Sequence, residues 1–243
     1  MGSQRELSCE DSGVNPPVLR LSPLDESSWP DNSVKFGLAI KLVNAERKQF
    51  HVMAIYRKAQ SLMIGDLQWH LVAERKNAEH APEIKWIAPD LSEMDQRLLA
   101  SKIDVWLELN ASKIPYSVAH PGGVIWTDNV WSGSQPGQGL TCATFILELF
   151  KELGIPFVDV DSWEERSGDR EWAECLLGWL ERSLSPADFQ AQRDRIGTTV
   201  RIRPSDVVSA AHLLRADSEI PLRFKEVSPL AACIENELLQ EAA

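Results

Sequence analysis

The residue with the most chemical promise is Cys142, in the segment GQGLTCATFILELFKELG. A Gly-rich stretch precedes it, and small residues, Ala143 and Thr144, follow it. The apolar stripe Phe145, Ile146, Leu149, Phe150 and Leu153 predicts an amphipathic helix over Thr141–Leu153, with the cysteine in its first turn. Gly154 closes that helix and Pro156 prevents its continuation. A helix start carries roughly half a positive elementary charge, which favours a thiolate over a thiol. It also leaves backbone N–H groups free, so the Cys142 amide can hold an oxyanion, with a side-chain donor available from Gln135 or Gln138. Gly137 and Gly139 leave room for a substrate chain to come close. The alternative for any such cysteine is a buried structural thiol. Cys175, between Trp172 and Trp179, and Cys233, in PLAACIENELL, read that way.

A thiol nucleophile needs an imidazole to take its proton and a group to orient that imidazole. The chain has five histidines. His51 opens HVMAIY and His70 lies in DLQWHLV, on what read as neighbouring strands of one hairpin. Paired strands run about 5 Å apart, so side chains on one face can touch. His120, in AHPGG, is a third candidate, because its loop leads toward Cys142. His80 and His212 read as surface or packing residues.

These groups need a scaffold. Residues 1–33 are rich in Pro, Ser, Asp and Glu and predict a poorly ordered arm, with one short extended piece at Val18–Leu21. Val34–Leu42, Gln49–Tyr56, Leu62–Arg75 and Glu83–Trp86 read as successive strands of a small antiparallel sheet. Ser92 to Leu109 reads as a capped helix. Residues 115–139 are a long Gly-rich connection carrying Trp126 and Trp131, and loops of that kind often bind ligands. Beyond the cysteine helix come a buried strand at Ile155–Val160, helices at Trp163–Leu184, Pro186–Arg195 and Ser205–Leu214, short strands at Thr199–Ile202 and Pro221–Phe224, and a helix from Pro229. A meander followed by separate helices is an α+β pattern.

Composition narrows the function classes. At 243 residues and 44% hydrophobic, the chain can bury a sizeable core, and nine Trp predict an aromatic one. A net charge of −11 opposes nucleic acid and anionic membrane. Four cysteines without a CxxC pair predict neither a zinc site nor a disulfide scaffold, and point to a reducing, cytoplasmic setting. MGSQRELSCED lacks a hydrophobic signal region, and no apolar run reaches spanning length. No cofactor or metal is expected.

The residues HVMAIY, WHLV and LTCATFILELF together resemble the permuted branch of the papain-like, NlpC-type cysteine hydrolases, which includes the lecithin retinol acyltransferase-like proteins. Members of that branch place the catalytic histidine on a strand ahead of the cysteine. The resemblance covers roughly residues 49–154. It departs from the pattern in the longer His51–His70 spacing, in the residue added before Ala-Ile-Tyr, and in lacking an Asn-Cys-Glu-His-Phe string. Tyr116, in IPYSV, resembles a tyrosine often found ahead of the nucleophile. The resemblance implies a papain-like fold with extra C-terminal helices: an arm over 1–33, a catalytic core over 34–160 and a mostly helical extension over 161–243. It also implies a Cys–His mechanism in which His51 deprotonates Cys142 and His70 orients it, with the two roles exchangeable on the sequence. Tyr116, Gln138 and Trp131 would line the oxyanion and substrate site, and the substrate would be a peptide, amide or ester. Acyl transfer or thioester cleavage could run on the same site. A non-catalytic protein, using Trp126 and Trp131 as a recognition surface, is the alternative of a different class.

Overall fold

The computed structural model describes residues 21–25, 31, 33–79, 81–118 and 125–242. Among these the fold is mixed α+β, with a six-stranded antiparallel sheet, a two-stranded ribbon and six α-helices. The large sheet holds β1 (Ser22–Leu24), β2 (Phe36–Asn44), β3 (Gln49–Lys58), β4 (Ser61–Trp69), β5 (Val72–Asn77) and β6 (Ala81–Ile87). Its spatial order is β1-β6-β2-β3-β4-β5. From β2 to β5 it is a meander; β6 returns to the open side of β2, and β1 covers β6. Part of the stretch read as an arm is therefore the edge of the sheet. The piece expected at Val18–Leu21 lies, apart from Leu21, outside the described residues.

Alternation along the strands separates two faces. Phe36, Leu38, Ile40, Val52, Ala54, Tyr56 and Leu67 point to the main core. Ala39, Met53, Ile55, Ile64 and Ile84 form a smaller cluster on the reverse face. Of the helices that share the main core, α1 (Glu93–Asn110), α2 (Cys142–Glu152) and α5 (Pro204–Leu213) pack against β3 at the centre of the sheet. Ser92 caps α1 by accepting from the Asp95 amide at 3.1 Å, and α1 sends Leu99, Ile103 and Trp106 inward at helical spacing. The remaining helices are α3 (Asp169–Leu180), α4 (Pro186–Arg195) and α6 (Phe224–Glu241), with α6 packed on α5. A polar cluster ties the ends of α3 and α5 together: Arg166 reaches Asp206 at 2.8 Å, and Arg203 reaches Asp169 at 3.0 Å.

Several sequence expectations change. The long strand expected at Leu62–Arg75 is a hairpin, β4 and β5, turning at His70–Leu71 with Leu71 at φ 58°. The strands expected at 155–160 and 221–224 shrink to a single bridge between Val158 and Leu222, and 199–202 is not a strand. The 163–184 helix is shorter, spanning α3 alone. The last helix begins at Phe224, five residues ahead of Pro229. In the first turns of a helix amides lack an intrahelical partner anyway, and shortly beyond them a proline costs one bond rather than the helix. The 115–139 connection contains an unexpected ribbon, β7 (Trp126–Thr127) and β8 (Val130–Trp131), turning on Asp128 and Asn129, both with φ above +45°.

Candidate active site

The site begins at the start of α2. Thr141 is its N-cap: the Thr141 hydroxyl accepts from the Thr144 amide at 3.1 Å, and the Thr144 hydroxyl accepts from the Thr141 amide at 2.8 Å. This reciprocal pair fixes where the helix starts, and so places Cys142 in its first position. The chain reaches Thr141 along the segment carrying Pro115 and Tyr116. Leu140 N–H donates to Pro115 O at 2.9 Å, and Ser117 N–H to Leu140 O at 3.3 Å. Gly139 permits that closeness, since a Cβ there would stand 2.5 Å from Pro115 O. The room left by Gly139 is thus used by the protein's own backbone. At Gly137, with φ +73°, it is used by α4 at Ala191 and Gln192. The expectation that these glycines admit substrate is corrected on both counts.

The sheet supplies the partners. The β3–β4 ladder runs from Lys58–Ser61 to Ala54–Gly65 and stops. Beyond that point β3 carries His51 and Val52, β4 carries Asp66 and Leu67, and the strands no longer pair. The Cys142 sulfur sits at this opening, close enough to the His51 imidazole, the Val52 backbone amide and the Tyr116 hydroxyl for all three to stabilise its thiolate. His51 Nε2 lies 2.6 Å from Asp66 Oδ2, with both side chains nearly buried. Asp66 holding Nε2 leaves Nδ1 for the sulfur. Extending the ladder register places 51, 53 and 55 on one face with 64, 66 and 68, so Asp66 meets His51 diagonally across the opening.

Tyr116 is held at every polar atom. Its amide donates to His70 Nδ1 at 3.3 Å, its carbonyl accepts from Gln192 Nε2 at 3.1 Å, and its hydroxyl accepts from the Cys142 amide at 3.3 Å. Its ring packs 5.3 Å from that of Trp69. Gln192 is fully buried in α4 and also accepts from the Val118 amide at 3.1 Å. At the start of α2, the Thr144 and Phe145 amides are taken by Thr141. Among the described residues the Ala143 amide has no acceptor, which leaves it as an oxyanion donor beside Cys142.

Electrostatics favour charge separation. Burial pushes the Cys142 thiol up, but the His51 imidazolium and the hydrogen bonds from His51, Val52 and Tyr116 outweigh it, and the net shift is downward. Burial alone would lower His51. The neighbouring thiolate and the Asp66 hydrogen bond reverse this and raise it to about 10. Burial and the same thiolate hold the Tyr116 phenol well above its ordinary value, so it remains a proton donor. Both shifts favour the thiolate–imidazolium pair over the neutral one.

A cleft of about 340 Å³ opens over this group, lined by Cys142, His51, Asp66, Tyr116, Trp69 and Arg201 among others. The structure thus brings Cys142, His51 and Tyr116 together. It does not bring His70 in as the orienting residue. The β4–β5 register shifts between Leu67 and Trp69, so strand alternation breaks before His70. The ring then turns to the Tyr116 backbone, and burial holds His70 below its ordinary pKa, which keeps Nδ1 an acceptor. Gln138 and Trp131 do not line the cleft. Gln138 Oε1 accepts from the Gln135 backbone amide at 3.0 Å within their own turn. Trp131 stands edge-on to Trp126, which stacks on Trp106 at 3.8 Å, so this aromatic group belongs to the core and not to a recognition surface. His80 and His120 lie outside the described residues. His212 is in α5, away from the cleft. Cys175 is half-buried and its sulfur accepts from Arg47 Nη1 at 3.1 Å.

Three residues of the site escaped the sequence reading: Asp66, Gln192 and Arg201. Asp66 had a visible signal, a lone acid inside the apolar strand LMIGDL and at the right parity to face His51. Gln192 and Arg201 are contributed by elements far along the chain, and nothing local marks them. No family model, curated protein or solved structure matches this chain. Among the described residues no helix is long and apolar enough to cross a membrane.

Proposed function

We propose that the protein is a cysteine-dependent acyl hydrolase with a papain-like site in the permuted order, histidine before cysteine. One observation carries this reading: Cys142, His51 and Asp66 form a connected nucleophile, base and orienting acid at the floor of one cleft. A structural cysteine needs neither a buried imidazole nor a carboxylate behind it, and burying both charges is costly unless they serve a purpose.

In this mechanism the Cys142 thiolate attacks the carbonyl carbon of a peptide, amide or ester. The C=O pair moves onto oxygen, and that oxyanion meets the Ala143 amide at the positive end of α2. His51 gives its proton to the departing amine or alcohol as the C–N or C–O bond breaks, leaving a thioester on Cys142. Water, deprotonated by His51, attacks the thioester. The acid product leaves and the thiolate–imidazolium pair is restored. A second nucleophile in place of water gives acyl transfer from the same intermediate. Asp66 keeps the ring oriented throughout, and Tyr116 hydrogen-bonds the sulfur.

Profiling with a panel of electrophilic acyl probes tests the reading. Wild type is expected to label at Cys142 faster than at Cys175, and Cys142→Ala to lose both labelling and turnover. Equal labelling of Cys142 and Cys175 at the rate of an ordinary thiol would refute it.

A further inference from the structure

Resting on the reactive-thiol reading, a second feature of the same cleft speaks to the substrate. Arg201 lines the catalytic cleft and also an adjoining groove of about 560 Å³, whose wall includes Arg47, Lys48, Arg203 and Trp179. Arg201 is mostly buried, with its side chain 13% exposed. Its ion pairing is thin. Nη1 stands 3.5 Å from Asp169 Oδ1, and that oxygen is already taken by Arg203 Nε and Nη2 at 3.1 and 3.0 Å. The other Asp169 oxygen accepts from the Arg166 amide at 3.1 Å. Arg201 Nε is buried and has no hydrogen-bond partner among the described residues. Trp172 stacks on the guanidinium at 3.8 Å and so occupies one flat face, leaving the N–H edge for any ligand.

The surroundings agree. Lys41 and Lys76 line the sheet side of the cleft, whose carboxylate, Asp66, is committed to His51. The groove holds two carboxylates: Glu235, which accepts from Ser205 at 2.6 Å and pairs with Arg203 at 3.4 Å, and the exposed Glu171, against the four cations Arg47, Lys48, Arg201 and Arg203. A chain of net charge −11 has thus gathered cations where the nucleophile opens to solvent. Burial and the neighbouring Arg203 lower Arg201 to about 10, which still leaves it charged at neutral pH. A buried, under-paired guanidinium is costly unless a ligand completes it, and its planar N–H edge matches a carboxylate.

We propose that Arg201 receives a carboxylate of the substrate, so that the acyl group handled by Cys142 belongs to an acidic peptide-like molecule whose negative charge lies within a few bonds of the reacting carbonyl. An acidic side chain and a free chain end both supply such a carboxylate.

Two alkylating probes separate the possibilities: N-iodoacetylglycine and its neutral counterpart N-iodoacetylglycinamide, which differ only in the terminal carboxylate. Second-order rate constants at Cys142, with the modified residue identified by peptide mass spectrometry, give the comparison. Wild type is expected to react about tenfold faster with the acid, roughly the worth of one charge-assisted contact. That preference is expected to shrink as salt is raised. In Arg201→Met the ratio is expected to fall to one or below, and in Arg201→Lys to recover in part. A wild-type ratio of one or less, independent of salt, overturns the subsite without any variant having to fold. A ratio unchanged in a folded Arg201→Met overturns it equally. If the glycinamide alkylates Cys142 no faster than free cysteine, the reactive-thiol reading falls and the subsite falls with it. A fast glycinamide with an unpreferred acid removes the subsite alone.

Discussion

Replacing Asp66 by Asn tests the electrostatic core of the site. The substitution keeps shape and a hydrogen-bonding group but removes the charge beside His51 Nε2, 2.6 Å away and nearly buried. A hydrogen bond to a charged partner contributes about 1.5–3 kcal/mol, and each pKa unit corresponds to about 1.4 kcal/mol. The His51 midpoint is therefore expected to fall from about 10 by roughly one to two units in Asp66→Asn. NMR of the His51 ring against pH measures this directly and needs no substrate. Cys142→Ala supplies the companion measurement. The thiolate is the larger of the two influences that raise His51, so its removal is expected to lower the midpoint at least as far. Burial then acts with one counter-charge fewer. A His51 midpoint that stays put in Asp66→Asn, or one that moves more there than in Cys142→Ala, would refute the triad as described.

Stability should record the same charges. His51 is raised from 6.5, so its contribution is complete below 6.5 and is lost as pH rises through about 10. Cys142 is lowered from 9.0, so its contribution is complete above 9.0 and is lost as pH falls through the depressed value. Below 9.0, and above both 6.5 and the depressed Cys142 value, the two slopes are opposite and cancel, so the pair's contribution to wild-type stability is expected to be flat there and to fall at higher and lower pH, by urea unfolding. Tyr116→Phe keeps the ring against Trp69 but removes a donor to the sulfur, so the Cys142 titration, followed by alkylation rate against pH, should rise by about one unit. Gln192→Leu orphans the Tyr116 carbonyl and the Val118 amide, both in the interior, and should cost about 2–4 kcal/mol in urea unfolding while slowing Cys142 alkylation. Thr141→Ala removes the cap of α2 and should cost about 0.5–2 kcal/mol by the same measurement.

Much of this site was legible because its signals are local. The α2 start is written in Gly139, Thr141 and the apolar stripe behind Cys142, and the meander in alternation over residues 34–56. His51 could be chosen because strand position and residue type coincide. His70 misled for a physical reason: the apolar pattern of LQWHLV runs on through a turn, and only the left-handed backbone at Leu71 and the register shift before it reveal that the strand has ended. Asp66 is the less conspicuous partner because a single acid in an apolar strand also fits a turn or an edge, although a carboxylate orients a histidine as well as an imidazole does. Trp131 looked like a binding residue because aromatic residues in a Gly-rich loop often are, yet Asp128 and Asn129 fold that loop into a ribbon that returns its tryptophans to the core. Gln192 and Arg201 act from fifty or more residues beyond the nucleophile, and tertiary contacts of that range leave no periodic trace.

The opening between β3 and β4 also bears on when the protein becomes reactive as it folds. His51 and Asp66 are fifteen residues apart on one hairpin, so they can meet as soon as that hairpin closes. Cys142 arrives on a separate helix about ninety residues after His51, and contacts at that separation form late. Until α2 docks, the cysteine lacks the imidazolium, the Val52 amide and the Tyr116 hydroxyl, and it titrates as an ordinary thiol. On the proposed mechanism the nucleophile is thus armed only once α2 has docked on the sheet, and the reactivity of Cys142 would report that this long-range contact is in place.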